Sequence, residues 1–237
     1  MSTITRPPEE GRTRAVPFLV NGQLMKQPEF HRRYEACPPD ERWELIGGIV
    51  YMASPLRYPH GNYDFSFGTA LGLYAVATPG VEGAHNVTSI LGEESEPQPD
   101  LALRIAAEHG GRSRINEAEY LEGPPEFIAE IAYSSLDIDM HRKREDYQEA
   151  GVAEYLVVCI EEQELHWFDF RTGHPLRPTR QGVYRSRVFP GLWIDGAALL
   201  ARDSKRLMEV VQQGLASPEH ARFVKRLQAE WRKRSPK

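Results

Sequence analysis

The chain has 237 residues, 41% of them hydrophobic, enough for one large domain or a domain with an appendage and too many for disorder to be the default. A formal charge of -5 excludes binding a polyanion by bulk charge, so any nucleic-acid function must rest on a local patch. Cys37 and Cys159 are too far apart and too few for a disulfide framework, no apolar run is long enough to span a bilayer, and residues 1–14 lack a secretory segment; a soluble, cytoplasmic protein with no membrane partner is expected.

Residues 1–27 read as a flexible N-terminal arm, since 1–14 are polar, carry Pro7-Pro8 and Gly11, and offer little apolar surface. A short helix is expected over 28–35, opened by Pro28-Glu29 and stopped by Pro38-Pro39. The apolar runs 42–46 and 49–52 flank Gly47-Gly48, which predicts a tight hairpin. Phe67, Leu71 and Tyr74 recur at helical spacing and predict a helix over 60–77, where Gly68 and Gly72 would allow close packing on a sheet. Residues 86–91 and 100–105 then read as a second hairpin about an acidic turn. Residues 106–123 read as a polar connector with one helical turn near 116–120.

Residues 125–160 are the most informative stretch: an apolar strand carrying Glu130, an amphipathic helix carrying Lys143, and a second apolar strand. That order implies a crossover and a parallel or mixed sheet. The helix has a polar start at Asp137 or Asp139 and stops at Gly151. Segments 164–170, 182–189 and 192–194 read as strands extending the sheet, and the pattern turns helical after 197. The expected organisation is an α/β domain over 28–196 with a C-terminal helical extension, 197–237.

A glutamate within Phe127-Ile128-Ala129-Glu130-Ile131-Ala132 is either outward and inert or inward and functional. Asp100 follows Pro99 at the start of a strand, so adjacent strands could bring Asp100 and Glu130 together as oxygen ligands for a hard divalent cation. Met140, Lys143 and Tyr147 share one helix face, the apolar one, which turns Lys143 inward and demands an anion for it. The alternative is that all three charges merely decorate the surface. Ser134 and Ser135 have no histidine in an informative relation, so serine catalysis is rejected and helix capping expected. The basic run Arg222, Lys225, Arg226, Arg232, Lys233, Arg234 and Lys237 could guide nucleic acid or form the solvated face of a terminal helix.

The ordered set Trp43-Glu44-Leu45-Ile46-Gly47-Gly48, Ser54-Pro55 with His60, Pro99-Asp100-Leu101, Glu130-Ile131, Asp139 and Lys143 with Tyr147, Gly151-Val152, 154–158 and Pro190-Gly191-Leu192 resembles the Uma2 family of restriction-endonuclease-like proteins, within the PD-(D/E)XK nuclease superfamily. The resemblance implies a restriction-endonuclease-like α/β fold, a mixed β-sheet core flanked by helices. It implies an endonuclease that uses Mg²⁺ or Mn²⁺, held by Asp100, Glu130 and the Ile131 carbonyl, on nucleic acid, DNA ahead of RNA. Lys143 would be the superfamily's lysine, moved to the helix because the position two after Glu130 is Ala132. Lys143 and His60 would contact the nucleic acid. Glu44 could extend the metal or water network or be a charge beside a turn; His60 could carry a proton or simply be polar; Tyr147 could pack or contact Lys143 or a carboxylate. A homo-oligomer, a dimer in the simplest case, is expected. The alternative is a catalytically silent binding or assembly protein on the same fold. Tyr133-Ser134-Ser135 departs from the family's Ser-Pro-Ser run, and Glu93, Glu94 and Glu96 make the preceding turn acidic.

Overall fold

Order begins earlier in the chain than composition suggests. In this computed structural model, which describes residues 16–133 and 135–234, Leu19 is buried with Phe30, Trp43, Leu45 and Val50 in a small apolar cluster. The backbone N–H of Gly22 donates to the Val50 carbonyl and that of Met25 to Gly48, so residues 19–25 of the expected flexible arm lie against the first hairpin. Residues 1–15 lie outside the described residues. Helix α1 (Gln27–Tyr34) follows, then β1 (Trp43–Ile46) and β2 (Ile49–Met52), an antiparallel pair whose turn residues Gly47 and Gly48 both hold positive φ.

Helix α2 (Tyr58–Val76) covers the expected helix and buries Phe67, Leu71 and Tyr74, each worth about 1.5–3 kcal/mol of burial. Next come β3 (Val81–His85), β4 (Ser89–Ile90) and β5 (Leu101–Ile105). The second hairpin expected from 86–91 and 100–105 does not form. β5 pairs instead with β3, and β4 leaves for a small sheet with β6 (Arg114–Ile115) and β7 (Leu121–Glu122). The helical turn expected near 116–120 is a single tight turn, closed by the Glu119 N–H donating to the Asn116 carbonyl at 3.0 Å, in which Glu119 takes positive φ and Asn116 Oδ1 accepts from the N–H groups of Ala118 and Tyr120.

Strand β8 (Phe127–Ala132) leads through a π-helical segment (Ile138–Lys143) into α3 (Arg144–Ala150) and on to β9 (Glu154–Cys159), which runs parallel to β8 in matched register from Phe127↔Glu154 to Ala132↔Cys159. Strands β10 (Glu164–Asp169) and β11 (His174–Pro175) complete a six-stranded sheet of order β11-β10-β9-β8-β5-β3, mixed because only β8 and β9 are parallel. The late strands extend this sheet only as far as β11. β12 (Val183–Arg185) and β13 (Trp193–Asp195) form their own two-stranded ribbon. Helices α4 (Gly196–Leu200), α5 (Ser204–Leu215) and α6 (Pro218–Arg234) close the chain.

Strand alternation assigns the two faces. Phe127, Ala129 and Ile131 join the main core with residues of α2 and α5, while Ile128 and Ala132 pack with Tyr147 of α3 on the other side. Covered on both faces, β8 is apolar almost throughout; Glu130 lies on the α3 side, within hydrogen-bond reach of Tyr147. No helix among the described residues is long and apolar enough to cross a membrane.

Candidate active site

Strands β5 and β8 pair only from Leu101↔Ala129 to Leu103↔Phe127. Beyond Leu101 the ladder ends, and two acidic side chains take the place of the missing backbone partners. The Ile131 N–H donates to Asp100 Oδ2 at 2.7 Å, and the Asp100 N–H donates to Glu130 Oε2 at 3.3 Å. Each carboxylate thus caps the other's strand, which sets Asp100 and Glu130 side by side. A strand residue turns its N–H and C=O towards the same neighbour, so the Ile131 carbonyl also faces the side where β5 has ended.

The helix supplies the cation. Lys143 Nζ lies 3.0 Å from Glu130 Oε1, 3.1 Å from Glu44 Oε1 and 3.8 Å from Asp139 Oδ1. The Tyr147 hydroxyl donates to Glu130 Oε1 at 2.6 Å. Glu44, on β1, is oriented by the Gln98 N–H at 2.7 Å, and His60, near the start of α2, places Nε2 3.2 Å from Asp100 Oδ2. Glu130 and Lys143 are only 3% and 6% exposed, whereas the side chains of Asp100 and Glu44 keep 12% and 15% of their surface and form the mouth.

The structure therefore brings Asp100, Glu130, Lys143, Glu44, His60 and Tyr147 to one place, with the Ile131 backbone beside them. It adds Asp139, which from sequence reads as a polar helix start. Asp139 lies inside the π-helical segment, is 2% exposed, and accepts from the Ser135 hydroxyl. Its spacing of four before Lys143 is the available signal, since residues so placed share a helix face. Ser135 serves this carboxylate, and Ser134 lies outside the described residues.

Four carboxylates, Glu44, Asp100, Glu130 and Asp139, thus surround one ammonium in a poorly hydrated pocket. Burial first, and then the neighbouring carboxylates, hold the Glu130 carboxyl well above its ordinary pKa despite Lys143. Burial likewise pushes Asp139 up to about 6. For Lys143 burial opposes the charge, but Glu130, Glu44, Asp139 and Asp100 together outweigh it and raise the pKa. Burial lowers and the Asp100 hydrogen bond raises the His60 pKa, with a net rise. Glu130, Asp139, Lys143 and His60 all hold their protons more tightly than in water, as expected where negative charge is buried in excess.

A nearby carboxylate separates stability from site chemistry. Asp146 accepts from the Ser95 hydroxyl at 2.6 Å, and burial pushes its pKa from 3.8 up to about 6. The folded state then binds the extra proton between those values, so stability falls as pH rises through this window and the penalty, up to about 3 kcal/mol, is complete above it. Asp146→Asn keeps an acceptor for Ser95. It is expected to be more stable than the parent by about 1–2 kcal/mol at pH 7, and level with it at pH 4, in urea denaturation.

The family model for Uma2, described as "Putative restriction endonuclease", matches residues 27–198, a span containing every residue of this cluster. A solved structure described as a putative nuclease belonging to DUF820, from Anabaena variabilis ATCC 29413, is similar with a TM-score of 0.54 and 12% identity, covering 72% of this chain and 96% of that chain. At that identity the likeness is one of fold. No curated protein matches the chain.

Proposed function

The chain belongs to the Uma2 family of putative restriction endonucleases, and on that premise we propose that it is a metal-dependent nuclease hydrolysing phosphodiester bonds of nucleic acid, DNA ahead of RNA. The observation that carries the reading is the reciprocal bonding of Asp100 and Glu130 over the end of the β5–β8 ladder, with Lys143 at hydrogen-bond distance from Glu130.

The residues fit a divalent cation. The donor set is hard oxygen, negative charge is in excess, and the contacts of the Asp100 carboxylate with Ile131 and His60 both fall on Oδ2, leaving Oδ1 available. Among the described residues no three His, Cys, Asp or Glu side chains are set to ligate one ion. Asp100, Glu130 and the Ile131 carbonyl would hold it with water and substrate oxygens completing the shell, a common arrangement for Mg²⁺. When bound, such a cation supplies Lewis acidity towards a phosphoryl oxygen and lowers the pKa of a water.

The chain's own groups have distinct tasks. Lys143 positions the attacking water or neutralises charge growing on the phosphoryl oxygens. Glu44 and Tyr147 fix Lys143 and Glu130 respectively, and so hold the ammonium and the carboxylate in register. His60 orients Asp100 and stands at the mouth where a phosphate would approach. The test is cleavage of DNA in Mg²⁺ or Mn²⁺, comparing the parent with Lys143→Ala and Asp100→Ala. Cleavage by the parent, lost in both variants and on chelation, is expected. A parent inactive on DNA and RNA with every divalent ion would leave a nuclease fold used for binding.

A further inference from the structure

At the other end of the sheet, five arginines from four segments gather around an open groove of about 830 Å³: Arg177 after β11, Arg185 on β12, Arg187 in the turn beyond it, and Arg222 and Arg226 on α6. All five are exposed, and Glu219 is the one acidic residue of the lining. Glu219 is itself engaged, accepting from Trp193 Nε1 at 2.7 Å. Among the described residues only Arg187 has a carboxylate at ion-pair distance, Asp169 at 3.3 Å; Arg177, Arg185, Arg222 and Arg226 have none. In a chain with more acidic than basic residues, four unpaired guanidinium groups facing one groove are not the product of bulk composition.

Two of the five are held in place. Arg185 lies over the Trp193 ring at 3.9 Å and Arg226 over Phe223 at 5.0 Å, contacts that orient a guanidinium while leaving its N–H edge free. Arg187 is anchored from below, its backbone N–H donating to Glu154 Oε1 at 2.7 Å. Glu154 pairs with Phe127, at the opposite end of β8 from Ile131, so this groove is separate from the Asp100–Glu130 cluster. The basic run of α6 is accordingly divided. Arg222 and Arg226 face the groove, while Lys233 and Arg234 pair with Glu230 on their own helix.

We propose that this groove binds the phosphodiester backbone of nucleic acid away from the bond being cut, and so supplies affinity that the acidic active-site end cannot. The proposal rests on the nuclease reading for the identity of its ligand. Guanidinium forks pair with phosphate oxygens in bidentate geometry, and unpaired arginines on several elements suit a repeating polyanion better than a single charge. Phe223 is buried and the Trp193 ring is covered by Arg185, so neither offers a face for base stacking and the contact is independent of sequence.

Anisotropy of fluorescein-labelled duplex DNA, titrated with the full chain in chelator over a salt series, tests this. The triple variant Arg177→Gln/Arg222→Gln/Arg226→Gln is expected to bind about tenfold or more weakly, with a salt slope shallower by about 0.9 for each phosphate it no longer neutralises. The matching triple Lys variant should recover most of the affinity, showing that the Gln variant is deficient in charge and not in folding. Parent-like affinity and slope in the Gln variant, or a parent that binds no DNA, overturns the groove. Loss of binding in the Gln variant with a parent that never cleaves upholds the groove and sinks the nuclease reading; unchanged binding with a parent that cleaves does the reverse.

Discussion

Lys143→Met is expected to lose about 3–5 kcal/mol of folding stability at pH 7 and all cleavage, because it removes the one ammonium from a buried group of carboxylates and leaves them unpaired. Methionine fills most of the volume, so the loss is electrostatic and not a cavity. Its pH dependence follows from that. Without the ammonium the carboxyls at Glu130 and Asp139 hold protons still more tightly, and a folded-state pKa above the unfolded one means that stability falls as pH rises. The deficit is therefore greatest at neutral pH and shrinks on acidification towards the unfolded carboxylate range. Urea denaturation of both proteins from pH 4 to 8 would show the curves converging at the acidic end. A deficit that is small and flat with pH would mean that Lys143 does not sit against these carboxylates. Saturating Mn²⁺ should restore part of the lost stability, about 2.7 kcal/mol at a hundredfold excess over its Kd, since a cation bound only by the folded state stabilises it.

Asp100→Asn should separate function from stability in the opposite direction. The Ile131 N–H and the His60 ring both bond Oδ2, so an asparagine oxygen can keep both contacts. Its amide nitrogen then stands at the Oδ1 position, where it repels a cation. Cleavage is expected to fall about 10³-fold or more, the scale on which a site loses a group that stabilises developing charge. Stability should hold or rise by about 1 kcal/mol, because one negative charge leaves a site that has too many. Parallel measurement of cleavage rate and urea midpoint checks both. A variant that keeps its activity removes Asp100 from the mechanism, and one that unfolds shows its role to be structural.

Much of this site is legible in the sequence because periodicity speaks directly about direction. Met140, Lys143 and Tyr147 share a face, which turns Lys143 inward without knowledge of the fold, and a lone carboxylate in an apolar strand points to Glu130. The position of Asp100 at the start of a strand makes it a candidate partner for Glu130, and the resemblance to a family adds Glu44 and His60, which no local pattern distinguishes from ordinary polar residues. Asp139 belongs to the set that carries the resemblance, but its place in the site is hidden because an aspartate at a helix start reads as a cap, and π-winding of that segment is a tertiary outcome.

The fold departs from expectation where local propensity carries little information. Val81-Glu82-Gly83-Ala84-His85 has one β-branched residue and a glycine, yet it is an edge strand because β5 offers five residues of register to pair with. Without β3, the segment 86–91 becomes the nearest apparent partner for β5, and the false hairpin follows. Residues 19–25 mislead for a related reason: Leu19 finds its apolar neighbours only once α1 and the hairpin are in place. The β12–β13 ribbon has strand character, but nothing in 182–194 says which sheet it joins.

Whether Asp100 and Glu130 are ligands of one catalytic ion is tested most directly in crystals grown with Mn²⁺, by anomalous diffraction at the manganese edge. One strong peak is expected between the Asp100 and Glu130 carboxylates, about 2.0–2.2 Å from an oxygen of each and absent from Asp100→Asn crystals. No peak at saturating Mn²⁺, or a peak held by residues outside this cluster, would contradict that expectation.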